Sequence, residues 1–300
     1  MWFKSLSTYR LPPAFSYESA QFFEKLEQAR LKPLGPVEPS RYGFISPYGR
    51  DNDVLIHENA DFAWFELGGR EKVLPGSVVK EACDVKFKLV KERTGKNPGK
   101  RQREQIKDDV LLDLLPRAFE KGGRMGAYID RAEKLLVVDS TSDKAAERMI
   151  SALREAFGTF IAEPIQTEES PAALMTAWIA EGQCPEPFML GDECTLVDPV
   201  DTACAVKAKR HDLTLDEIRE HVKTGKKVSQ LALIFDNRLS FVLDDKFKIR
   251  KLKFLDVIQD AIKETEGEMD ALTELDTRFT LMTLEVRRLM HALHDVFKLQ

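Results

Sequence analysis

What most constrains the fold of this chain is the order in which two hydrophobic periodicities follow one another. Strand-like alternation comes in clusters, and helix-like spacing falls between the clusters rather than after every strand. Residues 2–11 alternate (Trp2, Lys4, Leu6, Thr8, Arg10) until Pro12-Pro13 stops them. A helix is predicted over 16–30, with Phe22, Phe23, Leu26 and Ala29 on one face behind a Ser16 cap. Short strand-like runs follow at 42–46, 54–58 and 62–67, separated by turns at Pro47-Tyr48-Gly49-Arg50 and Asn59-Ala60-Asp61. The first 75 residues therefore read β-α-β-β-β. Such an order excludes the regular βαβ repeat of a nucleotide-binding parallel sheet.

Pro75-Gly76-Ser77 opens a long polar helix carrying Val78, Val79, Ala82, Val85, Phe87 and Leu89. It breaks at Gly95-Lys96-Asn97-Pro98-Gly99-Lys100, and a second helix turns Ile106, Val110, Leu111 and Leu114 inward until Pro116. Together they predict a helical hairpin with Lys96, Lys100, Arg101 and Arg103 at its tip. Strands return at 126–130 and 134–139, and Ser140 with Asp143 spells a capping box before a helix bearing Met149, Ile150, Leu153 and Phe157. Residues 163–199 are punctuated by proline, with one short helix near Trp178. Thr214 and Glu217 form a second capping box, and three strands are expected at 228–236, 239–244 and 249–254. The last 45 residues read as acidic and helical, with Phe279, Met282, Leu289, Leu293 and Phe297 on one stripe. The class is α+β: β-meanders with packed helices and a protruding basic hairpin. Residues 1–75 and 117–165 form an expected central domain, 76–116 the arm, and 166–300 a C-terminal base domain.

With 300 residues the chain can bury a substantial core. Its longest stretch without a charged side chain, residues 170–180, is far short of the roughly 20 residues needed to span a bilayer. The N-terminus lacks a signal-peptide pattern, so the cytosol is the expected compartment. Cys83, Cys184, Cys194 and Cys204 show no C-x2-C spacing and read as ordinary thiols.

Net charge is −5, which taken whole argues against a nucleic-acid partner. Its distribution argues the other way. Residues 80–107 hold ten basic and four acidic side chains, a net of +6, and residues 207–253 hold thirteen against seven, again +6. The rest of the chain therefore carries −17. Clustered Lys and Arg of this kind suit a polyanion, whose condensed counterions they release.

Motifs for chemistry are missing: there is no G-x-G-x-x-G, no G-x4-G-K-[ST], no G-x-S-x-G and no H-E-x-x-H. His291 and His294 lie three apart on the last helix without a third ligand, and no metal or cofactor is expected. Asp130, Asp139, Asp244 and Asp245 sit at strand ends, where carboxylates could hold magnesium for nuclease chemistry or simply close turns. Asp84-Val85-Lys86 has nuclease-like spacing but lies on a helix.

Several separated blocks nevertheless resemble one family. They are Trp2-Phe3-Lys4 with Tyr9-Arg10-Leu11, Lys72-Val73-Leu74-Pro75 with Val78-Val79-Lys80, and most specifically Leu114-Leu115-Pro116-Arg117-Ala118-Phe119. Tyr128-Ile129-Asp130, Leu136-Val137-Val138-Asp139 and Ala208-Lys209-Arg210-His211-Asp212-Leu213-Thr214 continue the series, as do Lys227-Val228, Leu231-Ala232-Leu233, Leu252-Lys253-Phe254 and Leu281-Met282-Thr283. In order and spacing this resembles the RdgC family of bacterial recombination-associated proteins over essentially the whole chain.

The resemblance implies a non-enzymatic protein that forms a ring-shaped homodimer around double-stranded DNA with little sequence preference. It further implies association with the nucleoid and restraint of the recombinase RecA. By the same resemblance Phe119, with Arg117 beside it, matches one subunit contact, and Arg210 and His211 match the other. Lys80, Lys96 and Lys100 match positions facing the hole, and Lys88, Arg101, Arg103, Lys209, Lys226 and Lys227 are the further expected phosphate contacts. At the arm's tip the chain has Asn97-Pro98-Gly99 where some family members carry a denser basic run. Two alternatives stand beside this reading: a metal-dependent nuclease, and a protein-interaction module of the recombination machinery.

Overall fold

The computed structural model describes residues 2–49, 52–255 and 270–300. Arg50 of the first expected turn, and residues 256–269 of the expected acidic helix, lie outside the described residues. The mixed α+β class holds: seven α-helices and antiparallel sheets are present among the described residues. The chain divides into two compact units, one of Met1–Ser19, Ile56–Phe65 and Gly126–Gln300, the other of Ala20–Leu55 and Glu66–Met125.

In the first unit, β1 (Ser7–Arg10) pairs with β6 (Leu135–Val138) on one side and β7 (Glu163–Pro164) on the other. β3 (Ile56–Asn59) pairs with the start of β4 (Phe62–Val73), and the end of β5 (Phe119–Asp130) pairs with β6. A second, five-stranded sheet runs β12-β11-β10-β8-β9. Its strands are β8 (Phe188–Val197), β9 (Ala205–Lys209), β10 (Lys227–Phe235), β11 (Leu239–Asp244) and β12 (Ile249–Phe254). The helices of this unit are α4 (Asp143–Phe157), α5 (Pro171–Glu181), α6 (Asp216–Lys223) and α7 (Ala271–Phe297). The expected stripe of α7 is buried, and it joins Phe62, Trp64 and Tyr128 as well as Leu231, Leu233 and Phe241 in one core. Each such side chain contributes about 1.5–3 kcal/mol by leaving water.

The second unit contains most of α1 (Ser19–Gln28), then β2 (Ser40–Ile45), the remainder of β4, α2 (Gly76–Thr94), α3 (Lys100–Leu114) and the start of β5. β2 pairs antiparallel with β4 from Ser40 opposite Glu71 to Ile45 opposite Glu66. A Cβ on Gly43 would lie 2.5 Å from the Leu31 backbone, so only glycine lets the chain pass that closely.

Several expectations need correction. The first strand begins at Ser7, because Lys4 and Leu6 are instead hydrogen-bonded to Leu252 and Ile249. Helix α1 is shorter than 16–30, Ser16 does not cap it, and Phe23 is 40% exposed beside the buried Phe22 and Leu26. Neither capping box forms as expected. Ser142, not Ser140, accepts the Ala145 N–H at the start of α4. Thr214 donates its hydroxyl to Asp212, and α6 starts at Asp216 without a side-chain cap. Val78, Val85 and Leu89 of α2 are exposed rather than packed. Strands β8 and β9 have no counterpart among the expected strands. β8 is irregular where Leu231 faces Cys194 but Leu233 faces Leu190, and the intervening Gly191-Asp192-Glu193 spoils a two-residue period. β9 has small residues and lysines, the composition of a guarded sheet edge.

Candidate nucleic-acid interface

The first basic window folds into α2 and α3. α2 ends at Gly95, which adopts φ +70° and donates its N–H to Lys91, while Lys91 and Arg93 in the last turn face the negative end of the helix dipole. α3 restarts after Gly99. The two helices share a small buried cluster of Cys83, Ile106 and Val110, flanked by Val79, Phe87, Val90 and Leu114. Lys86 and Asp113 add an ion pair at 2.7 Å, which holds the lysine's pKa above its ordinary value.

Of the ten basic residues in this window, Lys86 alone has a carboxylate partner among the described residues. Lys80, Lys88, Lys96, Lys100 and Arg101 are exposed. Arg103 is different: its Nε donates to the Pro98 carbonyl at 2.9 Å, and its guanidinium lies 5.7 Å from the centre of the Phe87 ring. That side chain fastens the turn between the helices. No sequence signal marked it apart from its neighbours, because the carbonyl it binds belongs to the backbone.

In the second basic window, in the first unit, six of the thirteen cations are engaged internally. Arg219 meets Asp216, Lys223 meets Glu220, Arg238 meets Glu285, Arg250 meets Asp244, Lys251 meets Glu193 and Lys248 meets Asp143. Lys248 holds the Asp143 carboxyl below its ordinary range. Lys207, Lys209, Lys227, Lys246 and Lys253 stay exposed, and Lys226 is half-buried where β10 begins. The equal charge of the two windows thus conceals unequal availability.

The residues expected at subunit contacts fall in two places. Arg117 is exposed in a 3-10 turn, and Phe119, the first residue of β5, is 87% exposed. Arg210 (φ +51°) and His211 line an open groove of about 750 Å³ with Lys251 and Lys253, over a floor that includes Ala232 and Val242. His211 is held by Glu217 at 2.5 Å and by the Asp212 carbonyl at 3.0 Å.

Three of the strand-end acids have partners within the protein. Asp130 binds Arg287 at 2.7 Å, Asp139 accepts the N–H groups of Lys4 and Ser5, and Asp244 accepts those of Lys246 and Lys248. Asp245 keeps an exposed surface, but partial desolvation of its carboxyl, and then the neighbouring Asp244 charge, push its pKa up. His291 meets Glu133 and His294 meets Asp295, so the two histidines do not converge on a shared ligand position. Among the described residues no group of three or more His, Cys, Asp or Glu is arranged to hold a metal. Burial pushes the Cys184 and Cys194 thiols up to about 11, which disfavours thiolate near neutrality. No helix among the described residues is long and apolar enough to cross a membrane.

The fold is an α+β chain of antiparallel sheets with a cationic helix pair, and its relatives are named as recombination-associated proteins. The family model described as "Putative exonuclease, RdgC" matches residues 1–300. The recombination-associated protein RdgC of Xanthomonas campestris pv. campestris strain B100 is 43% identical over 300 residues, covering 100% of this chain and 98% of the relative. Those of Xanthomonas oryzae pv. oryzae strain MAFF 311018 and Xylella fastidiosa strain M23 are 43% and 41% identical over the same length, covering 99% and 98% of the relatives. The chain belongs to the RdgC family.

Proposed function

We propose that this protein is a non-enzymatic, sequence-independent binder of double-stranded DNA, acting as a ring-shaped homodimer that restrains RecA-dependent recombination at the nucleoid. The observation that carries the reading is the α2–α3 pair, whose cations other than Lys86 have no carboxylate partner among the described residues and so can replace the counterions of a phosphate backbone. Lys80, Lys88, Lys96, Lys100 and Arg101 are the assigned phosphate contacts of the arm, while Arg103 holds the turn. Lys209, Lys226 and Lys227 extend the surface from the second window. Residues 1–75 with 117–165 serve as the central domain, 76–116 as the arm and 166–300 as the base. Subunits meet through Arg117 and Phe119 and again through Arg210 and His211, two self-complementary contacts that together close a two-fold ring.

A salt titration of duplex binding tests the reading. Log K is expected to fall linearly with log salt, by about 0.9 per phosphate neutralised, equally for unrelated sequences. A flat response overturns it.

The second reading is a metal-dependent nuclease, favoured by the wording of the family description. Linear and supercoiled DNA incubated with magnesium or manganese decides between them. Intact substrate is expected, and progressive loss of nucleotides from the ends selects the nuclease.

A further inference from the structure

Charge is unevenly spread along the α2–α3 hairpin. Residues 88–103 carry seven basic side chains and one acidic, while 76–87 together with 104–114 carry three basic and six acidic. The cations are therefore gathered around the turn between the helices, with Lys96 on the turn and Lys100 directly after it. That turn reads Gly95-Lys96-Asn97-Pro98-Gly99, and two glycines by themselves would leave it many conformations. Cations on a loose turn bind poorly for their number, because each must be ordered when the phosphates arrive.

The structure holds the turn from both ends. On the α2 side the Thr94 hydroxyl donates to the Val90 carbonyl at 2.8 Å and accepts the Lys96 N–H at 3.4 Å. On the α3 side one residue takes two successive carbonyls. The Arg103 N–H donates to Gly99 and its side-chain Nε to Pro98, each at 2.9 Å. Pro98 is buried, although the residues on either side of it are exposed. The guanidinium also lies 5.7 Å from the centre of the Phe87 ring, and Phe87 packs on the cluster of Cys83, Ile106 and Val110. Arg103 thus ties the turn to the small core beneath it. A lysine would keep the charge, but its ammonium lacks the planar fork that donates to a carbonyl while resting near a ring.

We propose that Arg103 is a positioning residue for DNA binding. Clamped between the Phe87 ring and the Pro98 carbonyl, it sets the turn in the shape in which Lys96, Lys100 and Arg101 meet a phosphate backbone. The inference rests on the duplex binding proposed above and adds how the tip is made ready for it. Arg103 then raises affinity by its shape, and its charge is secondary.

Arg103→Lys and Phe87→Leu separate shape from charge, since neither removes a cation. In salt titrations of the full-length chain with one duplex, each is expected to weaken binding about tenfold at every salt concentration, a parallel downward shift of log K against log salt. Lys96→Gln, which removes a charge, is expected instead to make the slope shallower by about 0.9. The double variant should bind no more weakly than the weaker single one, because both break the same clamp. Trypsin reads the turn without DNA: the bond after Lys96 is expected to be cut several-fold faster in both variants, with cleavage elsewhere unchanged. Arg103→Lys that binds within about twofold of wild type overturns the clamp and leaves duplex binding standing, since a lysine then serves as well as it does at an ordinary phosphate contact. Unchanged cleavage after Lys96 also overturns it, and so does cleavage that rises throughout the chain, which would assign Arg103 to global stability. A wild-type chain that does not bind duplex DNA overturns the clamp and the binding together.

Discussion

Arg287 serves three neighbours at once. Its guanidinium binds Asp130 at 2.7 Å, reaches Asp61 at 3.2 Å and lies 4.3 Å from the centre of the Phe62 ring. Asp130 is 2% exposed, so removing the arginine strands a buried carboxylate. Arg287→Ala is expected to lower unfolding free energy by about 3–5 kcal/mol in urea titrations, far above the effect of a surface pair. His57 supplies a pH-dependent term. It is buried between Trp64 and Phe279, and burial pushes its pKa below 6.5 although Asp276 at 2.9 Å pulls the other way. Between the lowered folded value and 6.5 the unfolded chain binds more protons than the native one. Stability therefore falls as pH drops through that window and levels once both states are protonated. Urea midpoints at about pH 7.5 and about pH 5.5 check this, and His57→Gln should flatten that part of the loss.

Elements were legible in the sequence where an apolar stripe or an unbroken apolar run marks them. The stripe of α7 and the strands β10, β11 and β12 fall within a residue or two of their expected places, because most of their large apolar residues join one core. Elements with two kinds of face were not. The apolar residues of α2, Val78, Val79, Ala82, Val85, Phe87 and Leu89, fall on more than one side of a polar helix, yet α3 covers only the side holding Val79, Cys83 and Phe87. Nothing in a single sequence says which of two stripes meets a neighbour. The candidate site shows the same limit: the basic windows were evident, but some of the carboxylates that pair with cations of the second come from distant parts of the chain, such as Glu285 and Asp143. A stability comparison separates the two stripes of α2 and its partner. Ile106→Ala, from the shared cluster, is expected to cost about 2–3 kcal/mol. Leu89→Ala, on the 58% exposed side chain, is expected to stay within about 0.5 kcal/mol.

At the scale of the molecule, −5 is the sum of opposed surfaces, and the two +6 windows differ in what they have left to offer. A cation already held by a carboxylate releases no counterion when a phosphate arrives, because its charge is balanced beforehand. The arm keeps nine such cations unpaired among the described residues, whereas six in the second window are engaged. Equal numbers of substitutions in the two windows should therefore act on different quantities. Reversing Lys96, Lys100 and Arg101 to Glu is expected to weaken binding to every duplex alike and to make the salt slope shallower by about 0.9 for each phosphate left unneutralised. Stability should hardly change, since none of the three has an ion-pair partner among the described residues. Replacing Lys248, Arg250 and Lys251 with Gln should do the reverse. It leaves Asp143, Asp244 and Glu193 without their cations, and Asp244 is 3% exposed. The expected result is a loss of a few kcal/mol in urea unfolding with the salt slope unchanged. An equal flattening of the slope by both triples would mean that total charge, and not its pairing, governs the encounter with DNA.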